Sequence, residues 1–284
     1  MNLRCITFAL LKRIYEISIP HFTNEGTFNA AIRQFKDIKS LNIDALYLLP
    51  INPTDIQNSR SPYCITDNFE VRKELGGADG LKLFTEAAHG EGMKVILDVV
   101  LNHASINHKF AHDQDFFALD GNESLFHPIG TNWNDVFQIN HFSEYHSENL
   151  LNSLFSFLEM GIDGFRFDAT SFLPDKKLEH WLSELTRKKS DVILWSDSIL
   201  LEKNTLPFTH VSAPIGKSKF DETRKAIQIA SLGSHDLLRN EGSLLEMYGE
   251  NVGALQQELI LNSDAFLFPM GSEKGFDFKY DFFL

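Results

Sequence analysis

The chain has 284 residues, of which 43% are hydrophobic and 23% are charged. This is enough to bury a large core, in one α/β barrel or in two ordinary domains. Its 39 acidic and 26 basic side chains leave a net charge of −13, which opposes binding to nucleic acid and to anionic membrane surfaces. No apolar stretch approaches the roughly 20 residues of a membrane span.

The amino-terminal residues favour a location inside the cell. The apolar run from Cys5 to Leu11 is interrupted by Lys12 and Arg13, and no small-residue cleavage site of a signal peptide follows it. The only two cysteines, Cys5 and Cys64, cannot form a disulfide framework, which is typical of a reducing compartment. We therefore expect a cytoplasmic protein.

From Ile14 onward, short β-rich runs alternate with segments of helical period, which is the pattern of β-α units around a parallel sheet. Apolar spacing predicts helices over 28–41, 79–88 with Asp79 as the N-cap, 150–158, 178–185 and 252–259. The predicted strands are Ile14–Ile17, Ala45–Leu49, Lys94–Val100, Gly164–Asp168, Val192–Trp195, Phe208–Val211, Ile227–Leu232 and Ala265–Phe268. Eight strands in this order predict a single α/β domain over 1–284, a (β/α)8 barrel of the TIM type.

One segment breaks the alternation. Residues 104–142 are rich in His, Asp, Asn and Phe without a clear period, and are too many for an ordinary βα loop. They predict a small inserted subdomain after the third strand. The connection between the sixth and seventh predicted strands is short for a full helix.

Polar residues follow the predicted strands where a barrel of this kind carries its chemistry, at the carboxyl ends. The third strand leads into Asp98-Val99-Val100-Leu101-Asn102-His103, the fourth ends in Arg166-Phe167-Asp168, and the fifth ends in Ser196-Asp197. Ser234-His235-Asp236 follows the seventh strand. A single such residue is usually a turn former or a helix cap. Four such sites at the ends of four of the eight strands favour a functional site.

These segments resemble the shared motifs of the α-amylase family of glycoside hydrolases, which have the forms DVVxNH, GxDGFRxDA, a strand ending in an acidic residue, and a later HD pair. Here they read DVVLNH, GIDGFRFDA, ILWSD and SHD, and the resemblance extends from IYEISIPHF, IDALYLLPI and SPYCITD to AFLFPMGSEKG. It implies retaining cleavage or transfer of α-1,4- or α-1,6-linked glucosides such as maltooligosaccharides. Hydrolysis and transglycosylation both stay open, because either water or a sugar can reach the covalent intermediate.

Retention requires one carboxylate that attacks the anomeric carbon and a protonated carboxyl about 5 Å away that assists the leaving oxygen. The resemblance makes Asp168 the nucleophile. Arg166 lies two residues earlier on the same strand, so it points to the same side and can keep that carboxylate ionised. By the same resemblance Asp236 stabilises the transition state and binds sugar hydroxyls, while the remaining expected sugar contacts are His103, His235 and the aromatic platform Tyr63.

The acid motif departs from the family. A Glu is usual after the fifth strand, whereas this chain has Asp197, whose shorter side chain would fall short of the leaving oxygen by more than about 1 Å. Asp197 is the best candidate for the acid and Glu202 a remote substitute. Phe172 and Cys64 also replace residues common in the family, a His and an Asp, which leaves the specificity open. The main alternative is a weakened or inactive barrel that binds glucans.

The resemblance requires no cofactor, although Asn102 matches a ligand position of calcium-binding members and calcium therefore stays possible. The family's usual C-terminal β-sandwich is expected to be absent, and self-association would then seal the eighth-strand side. A rival hypothesis is a metal hydrolase built on His103, His108 and His112 with Asp113 or Asp115. Their irregular spacing gives them no common helical face, and the hypothesis leaves Arg166, Asp168 and the HD pair unexplained.

Overall fold

A computed structural model describes residues 11–198, 206–218, 226–279 and 281–284. Within these ranges, eight parallel strands close into a barrel in chain order, which confirms the predicted (β/α)8 fold. The barrel strands are β1 (Arg13–Ile17), β2 (Ala45–Leu48), β3 (Lys94–Val99), β6 (Gly164–Phe167), β7 (Ile193–Ser196), β8 (His210–Ser212), β9 (Ile227–Ala230) and β10 (Ala265–Phe268); β4 (His103–Ala104) and β5 (Phe137–Gln138) lie outside it. Each predicted strand is present, with bounds shifted by at most two residues.

The helices are α1 (Ile19–Phe22), α2 (Phe28–Ile32), α3 (Phe35–Ser40), α4 (Gly77–Gly90), α5 (Glu144–Glu159), α6 (Asp175–Lys188), α7 (His235–Asn240), α8 (Leu244–Tyr248) and α9 (Val252–Asn262), with 3₁₀ turns at Lys73–Leu75, Thr170–Phe172 and Gly249–Asn251. Among the described ones, no helix is both long and apolar enough to cross a membrane.

Two details of the predicted helices are wrong. The single helix expected over 28–41 is broken between α2 and α3, and the break lets Phe28 and Phe35 both pack edge-on against Phe84 of α4. Asp79 is not an N-cap, because Gly76, whose φ of 118° suits a glycine, takes that position. Asp79 lies instead in the first turn of α4, where a carboxylate interacts favourably with the helix dipole.

Strand alternation positions the polar residues of the barrel interior. Ile14, Ala45, Tyr47 and Ile96 belong to the apolar cluster inside the barrel. Ile14 pairs with Ala45, whereas Tyr47, Ile96 and Gly164 pair in one row across β2, β3 and β6. Two residues further along each strand, the same inward direction brings Glu16, Asp98 and Arg166 to the C-terminal end. A second apolar cluster fills the space between the outer face of the strands and the surrounding helices.

The insert predicted at 104–142 lies between β3 and α5. Its β4 and β5 pair antiparallel, and isolated bridges join Phe117 to Ile139 and Leu119 to Leu125. The backbone oxygen of Asn102 accepts the N–H of Ile139, so the base of the insert is fastened to the end of β3. The structure therefore places the insert beside the polar end of the barrel.

Because β6 and β7 approach closely at Gly164, we expect a methyl group added there to destabilise the fold. A Cβ added at Gly164 would lie 2.3 Å from the carbonyl oxygen of Ile193, whereas one added at Gly90 would meet nothing within 4 Å. We expect Gly164→Ala to lower the free energy of unfolding by about 1–3 kcal/mol, as overpacking does. Gly90→Ala, in a helix, should not lower it. Urea unfolding of both variants measures this, and equal stabilities would contradict the packing at β6.

Candidate functional site

A buried guanidinium organises the C-terminal end of the barrel. Arg166 Nη1 donates to both oxygens of Asp98, at 2.9 and 3.0 Å, and to Oδ1 of Asp168, at 2.8 Å. Asp98 is fully buried, and its Oδ2 also accepts the hydroxyls of Tyr47, at 2.6 Å, and Tyr63, at 2.8 Å. Asp98 therefore holds Arg166 in place at the end of the barrel. This leaves Asp168, with a side chain that is 15% exposed, as the carboxylate of this group that faces the cavity.

The Asp168 carboxyl has an unusual proton affinity. Burial raises its pKa to about 7, against the opposing attraction of Arg166, and the nearby negative charges of Asp98, Asp197 and Asp236 raise it further. At neutral pH the group therefore lies at the midpoint of its titration, poised between an acid and an anion.

A second chain of polar contacts joins the first through one hydroxyl. Tyr63 Oη, which donates to Asp98, also lies 2.8 Å from His235 Nε2, and His235 Nδ1 lies 3.0 Å from Glu16 Oε2. Burial by itself lowers the pKa of His235, but the Glu16 carboxylate outweighs it and leaves the pKa above its ordinary value. The ring of Tyr63 is stacked on that of His235 at 5.8 Å.

Asp236 is placed differently from the other carboxylates. It follows the N-cap Ser234 in the first turn of α7, and its side chain is 66% exposed. Its Oδ2 lies 3.6 Å from His235 Nε2. Since it lines the cavities on both of its sides, its carboxylate is available to a ligand in either.

Asp197, the candidate acid, is engaged by the backbone. Its Oδ2 accepts the N–H of Ala169 at 3.0 Å and its Oδ1 accepts the N–H of Thr170 at 3.1 Å, while Arg166 Nη2 lies 4.0 Å away. Ala169 has a left-handed φ of 52°, which is uncommon for a residue with a side chain. The Asp197 carboxylate thus anchors the strained turn that directly follows Asp168. Glu202, the alternative acid, lies outside the described residues.

Two cavities meet at Asp236. The first, of about 380 Å³, is lined by Tyr63, His103, Trp133, Asp168 and Asp236 among others. The second, of about 370 Å³, contains Arg166, Asp197, Trp195, Ser212 and His235. Both have the size of small-molecule pockets. The structure thus brings all seven predicted site residues to one end of the barrel, divided between two neighbouring compartments.

His103 contributes an uncharged ring to the first cavity. Burial lowers its pKa to about 4, against the opposing charge of Asp135, so the imidazole is neutral at pH 7. Its Nδ1 is buried without a hydrogen-bond partner, and its ring centroid lies 5.1 Å from that of Trp133.

The residues at Asn102 do not fit a calcium ion. The Asn102 carboxamide oxygen and its backbone oxygen both accept from Gln138 Nε2, at 2.9 Å, so a donor group points at the oxygens that would ligate the metal. Calcium prefers six or more oxygen ligands, including carboxylates. These contacts instead fasten the insert to β3.

The rival metal hydrolase receives no geometric support. Across the ranges that the structure describes, no three His, Cys, Asp or Glu side chains are grouped so that they could hold a metal ion. His108, one of its expected ligands, instead stacks on Phe116 at 4.5 Å and lies within 3.0 Å of Asn68 Oδ1 through Nε2.

Three contributors to the site are absent from the sequence prediction. Glu16 and Tyr47 are polar groups within otherwise apolar buried strands, a signal that the sequence does contain. Phe282, which packs against His235 and Tyr63, carried no such signal, because its position depends on how residues 281–284 return to the barrel.

Comparisons with known proteins agree with this geometry. A family model described as the α-amylase catalytic domain matches residues 16–144. The chain is 29% identical over 181 residues to a malto-oligosyltrehalose trehalohydrolase from Arthrobacter ramosus, covering 63% of this chain and 30% of that protein. It is 23% identical over 293 residues to a 4-α-glucanotransferase from Thermotoga neapolitana, covering 88% and 66% of the two chains.

The fold has close structural counterparts. A noncanonic maltogenic α-amylase from Thermotoga neapolitana superposes with a TM-score of 0.84 at 21% identity, covering 97% of this chain and 71% of that one. At this identity the likeness shows the fold. The chain spans less than a third of the length of the trehalohydrolase, so that protein contains much that this sequence does not match.

The position of Asp168 among negative charges predicts how it titrates. We expect its carboxyl to ionise near pH 7, and Asp236→Asn to lower that pKa because the substitution removes a neighbouring negative charge. Carboxyl ¹³C NMR across pH 3–9 measures both. Asp191→Asn, at an exposed position after α6, is the matched control and should leave the titration unchanged. A midpoint near 4 in the wild type would contradict the buried setting of Asp168.

Proposed function

We propose, from the premise that this chain belongs to the α-amylase family, that it cleaves or transfers α-linked glucosides by double displacement with Asp168 as the nucleophile. The observation that carries the proposal is the Asp168 carboxylate, which is fixed by Arg166 on one side and lines a sugar-sized cavity with Tyr63 and Asp236 on the other. The proposed substrates are maltooligosaccharides or other α-glucans with 1,4 or 1,6 linkages.

Each lining group has a role in the proposed reaction. Asp168 attacks the anomeric carbon as the bond to the leaving oxygen breaks, which forms a glycosyl ester that water or a second sugar then opens. Arg166 keeps the attacking carboxylate oriented and favours its ionised form. The exposed Asp236 carboxylate and the neutral His103 ring accept and donate hydrogen bonds at the sugar hydroxyls, while Tyr63 presents its ring to the apolar sugar face.

Relatives with different activities support both outcomes of the second step. One is a trehalohydrolase and another is a glucanotransferase, so transfer to water and transfer to a sugar are both compatible with this barrel. The proposal includes no required cofactor and no nucleic-acid partner, and it places the protein in the cytoplasm. Self-association through the eighth-strand side remains part of the proposal.

A second candidate function follows from Asp197. A general acid carries a proton on one oxygen and delivers it to the leaving group, but both Asp197 oxygens accept backbone N–H groups. This arrangement favours a barrel that binds glucans and turns natural substrates over slowly. Under both candidates Asp168 can react with substrates whose leaving group needs no proton.

The nucleophile can be tested apart from the acid. We expect wild-type protein to release fluoride from α-glucosyl fluoride and Asp168→Ala to lose this activity by on the order of 10³-fold or more, because fluoride departs without protonation. A fluoride electrode measures the rate, and intact mass detects the glycosyl adduct. Asp191→Ala is the control. A folded wild type that gives neither fluoride nor adduct would rule out the enzymatic proposal.

Asp197 can be tested by comparing leaving groups. If Asp197 anchors the turn, Asp197→Asn should lower the rates with maltose and with α-glucosyl fluoride by the same factor, because the Asp168 turn shifts. The free energy of unfolding should also fall by about 1–3 kcal/mol as one backbone N–H loses its acceptor. We expect this parallel loss. A loss of about 10²–10⁴-fold confined to maltose would instead establish Asp197 as the general acid.

A further inference from the structure

Residues 281–284 cross the mouth of the first cavity. On one side of the cavity they are held by Arg239 of α7. The Arg239 Nε donates to Asp281 Oδ1 at 3.0 Å, and its guanidinium lies 3.7 Å from the ring centroid of Phe283. Asp281 Oδ1 also accepts the N–H of Phe283 at 3.0 Å. One guanidinium therefore holds both Asp281 and Phe283, by an ion pair and a cation-π contact.

On the opposite side, the loop that follows β2 holds the same segment. The Leu284 N–H donates to the carbonyl oxygen of Arg60 at 2.7 Å, and Arg60 Nε donates to the Leu284 carbonyl oxygen at 2.5 Å. Two reciprocal hydrogen bonds fix both position and direction. Residues 281–284 thus bridge α7 and the loop that carries Tyr63.

Between the two anchors, Phe282 is inserted into the site. Its side chain is only 2% exposed, and its ring meets His235 edge-on at 4.8 Å and Tyr63 edge-on at 6.1 Å. The bridge is therefore packed against the very rings expected to contact the reacting sugar. Its burial makes it a part of the cavity wall.

Residues 281–284 form a wall of the cavity in which the transferred sugar must lie. Asp168 attacks the anomeric carbon, and Tyr63 and His103 line the same cavity as Asp168, so the transferred ring occupies the first cavity. The second cavity contains Asp197, so under the proposed function the leaving group lies toward that side. Phe282 and Phe283 belong to the lining of the first cavity and not to that of the second.

The insert contributes a further part of the lining of the first cavity. The loop residue Ser59 donates to Asp135 of the insert, and Asn132, Trp133 and Val136 of the insert line the cavity. At about 380 Å³ the space lies at the lower end of the roughly 300–1,000 Å³ of ligand pockets. A space of this size accommodates a short sugar.

We propose that residues 281–284 determine substrate length, by forming the closed end of the compartment for the transferred sugar. The protein then acts on short α-glucosides, or on the non-reducing ends of longer ones, and does not cleave within a chain. The catalytic part of this inference rests on the proposed function. The wall itself is a property of binding and can be tested without turnover.

Two activated substrates test the wall. α-Glucosyl fluoride needs room for one ring beside Asp168, whereas α-maltotriosyl fluoride needs room for three in a row. We expect the wild type to prefer α-glucosyl fluoride, and Phe283→Ala to raise the ratio of the maltotriosyl to the glucosyl rate by about tenfold. Phe142→Ala, at a side chain that is 85% exposed, removes an equal ring elsewhere and should leave the ratio unchanged. Circular dichroism confirms that each variant is folded.

The outcomes separate the two proposals. Equal wild-type rates on both fluorides, or an unchanged ratio in Phe283→Ala, would overturn the wall and leave the nucleophile intact. If neither fluoride reacts, the proposed catalysis fails, and calorimetric titration with glucose and maltotriose then decides the wall alone. Tighter binding of maltotriose to Phe283→Ala than to the wild type would support it, and identical affinities would overturn it.

Discussion

The site depends on one buried cation between two carboxylates. Arg166 is held by the fully buried Asp98 and in turn holds Asp168. Charges removed from water are tolerated only when they are paired, and removing one partner of such a group typically costs about 3–5 kcal/mol. The hydroxyls of Tyr47 and Tyr63 complete the hydrogen bonding of Asp98, so the network that positions the nucleophile also occupies the top of the barrel core.

Asp197 brings structural and catalytic demands into conflict. A carboxylate that anchors the Ala169 turn holds Asp168 in place, but its two oxygens already accept backbone N–H groups. A general acid needs freedom to carry and deliver a proton. In this barrel Asp168 is held in position, while the neighbouring Asp197 accepts hydrogen bonds from the backbone. Such a protein should favour substrates with good leaving groups. The same geometry therefore links the altered acid motif to the choice between a slow enzyme and a glucan-binding barrel.

Under the proposed function, substrate selection depends on a different part of the molecule. Asp168 and Asp197 directly follow barrel strands, while the lining of the first cavity also comes from the loop after β2, the insert, α7 and residues 281–284. These segments are distant in sequence, and contacts such as those of Arg60 with Leu284 and of Arg239 with Asp281 join them. A rigid barrel can thus keep its chemistry while its surrounding segments decide which sugars enter.

The sequence by itself determined the barrel, because eight apolar β-runs alternating with helical periods leave few other ways to bury both faces of a parallel sheet. It also located Arg166, Asp168, His235 and Asp236, since polar residues that end barrel strands share one face. Only the tertiary structure decided what these groups do. Closure of the barrel brings Glu16 to His235, 219 positions away, and the bond of Asp197 to the Ala169 turn depends on the register of β6 against β7. Such pairings arise from distance in space, which a linear pattern does not encode.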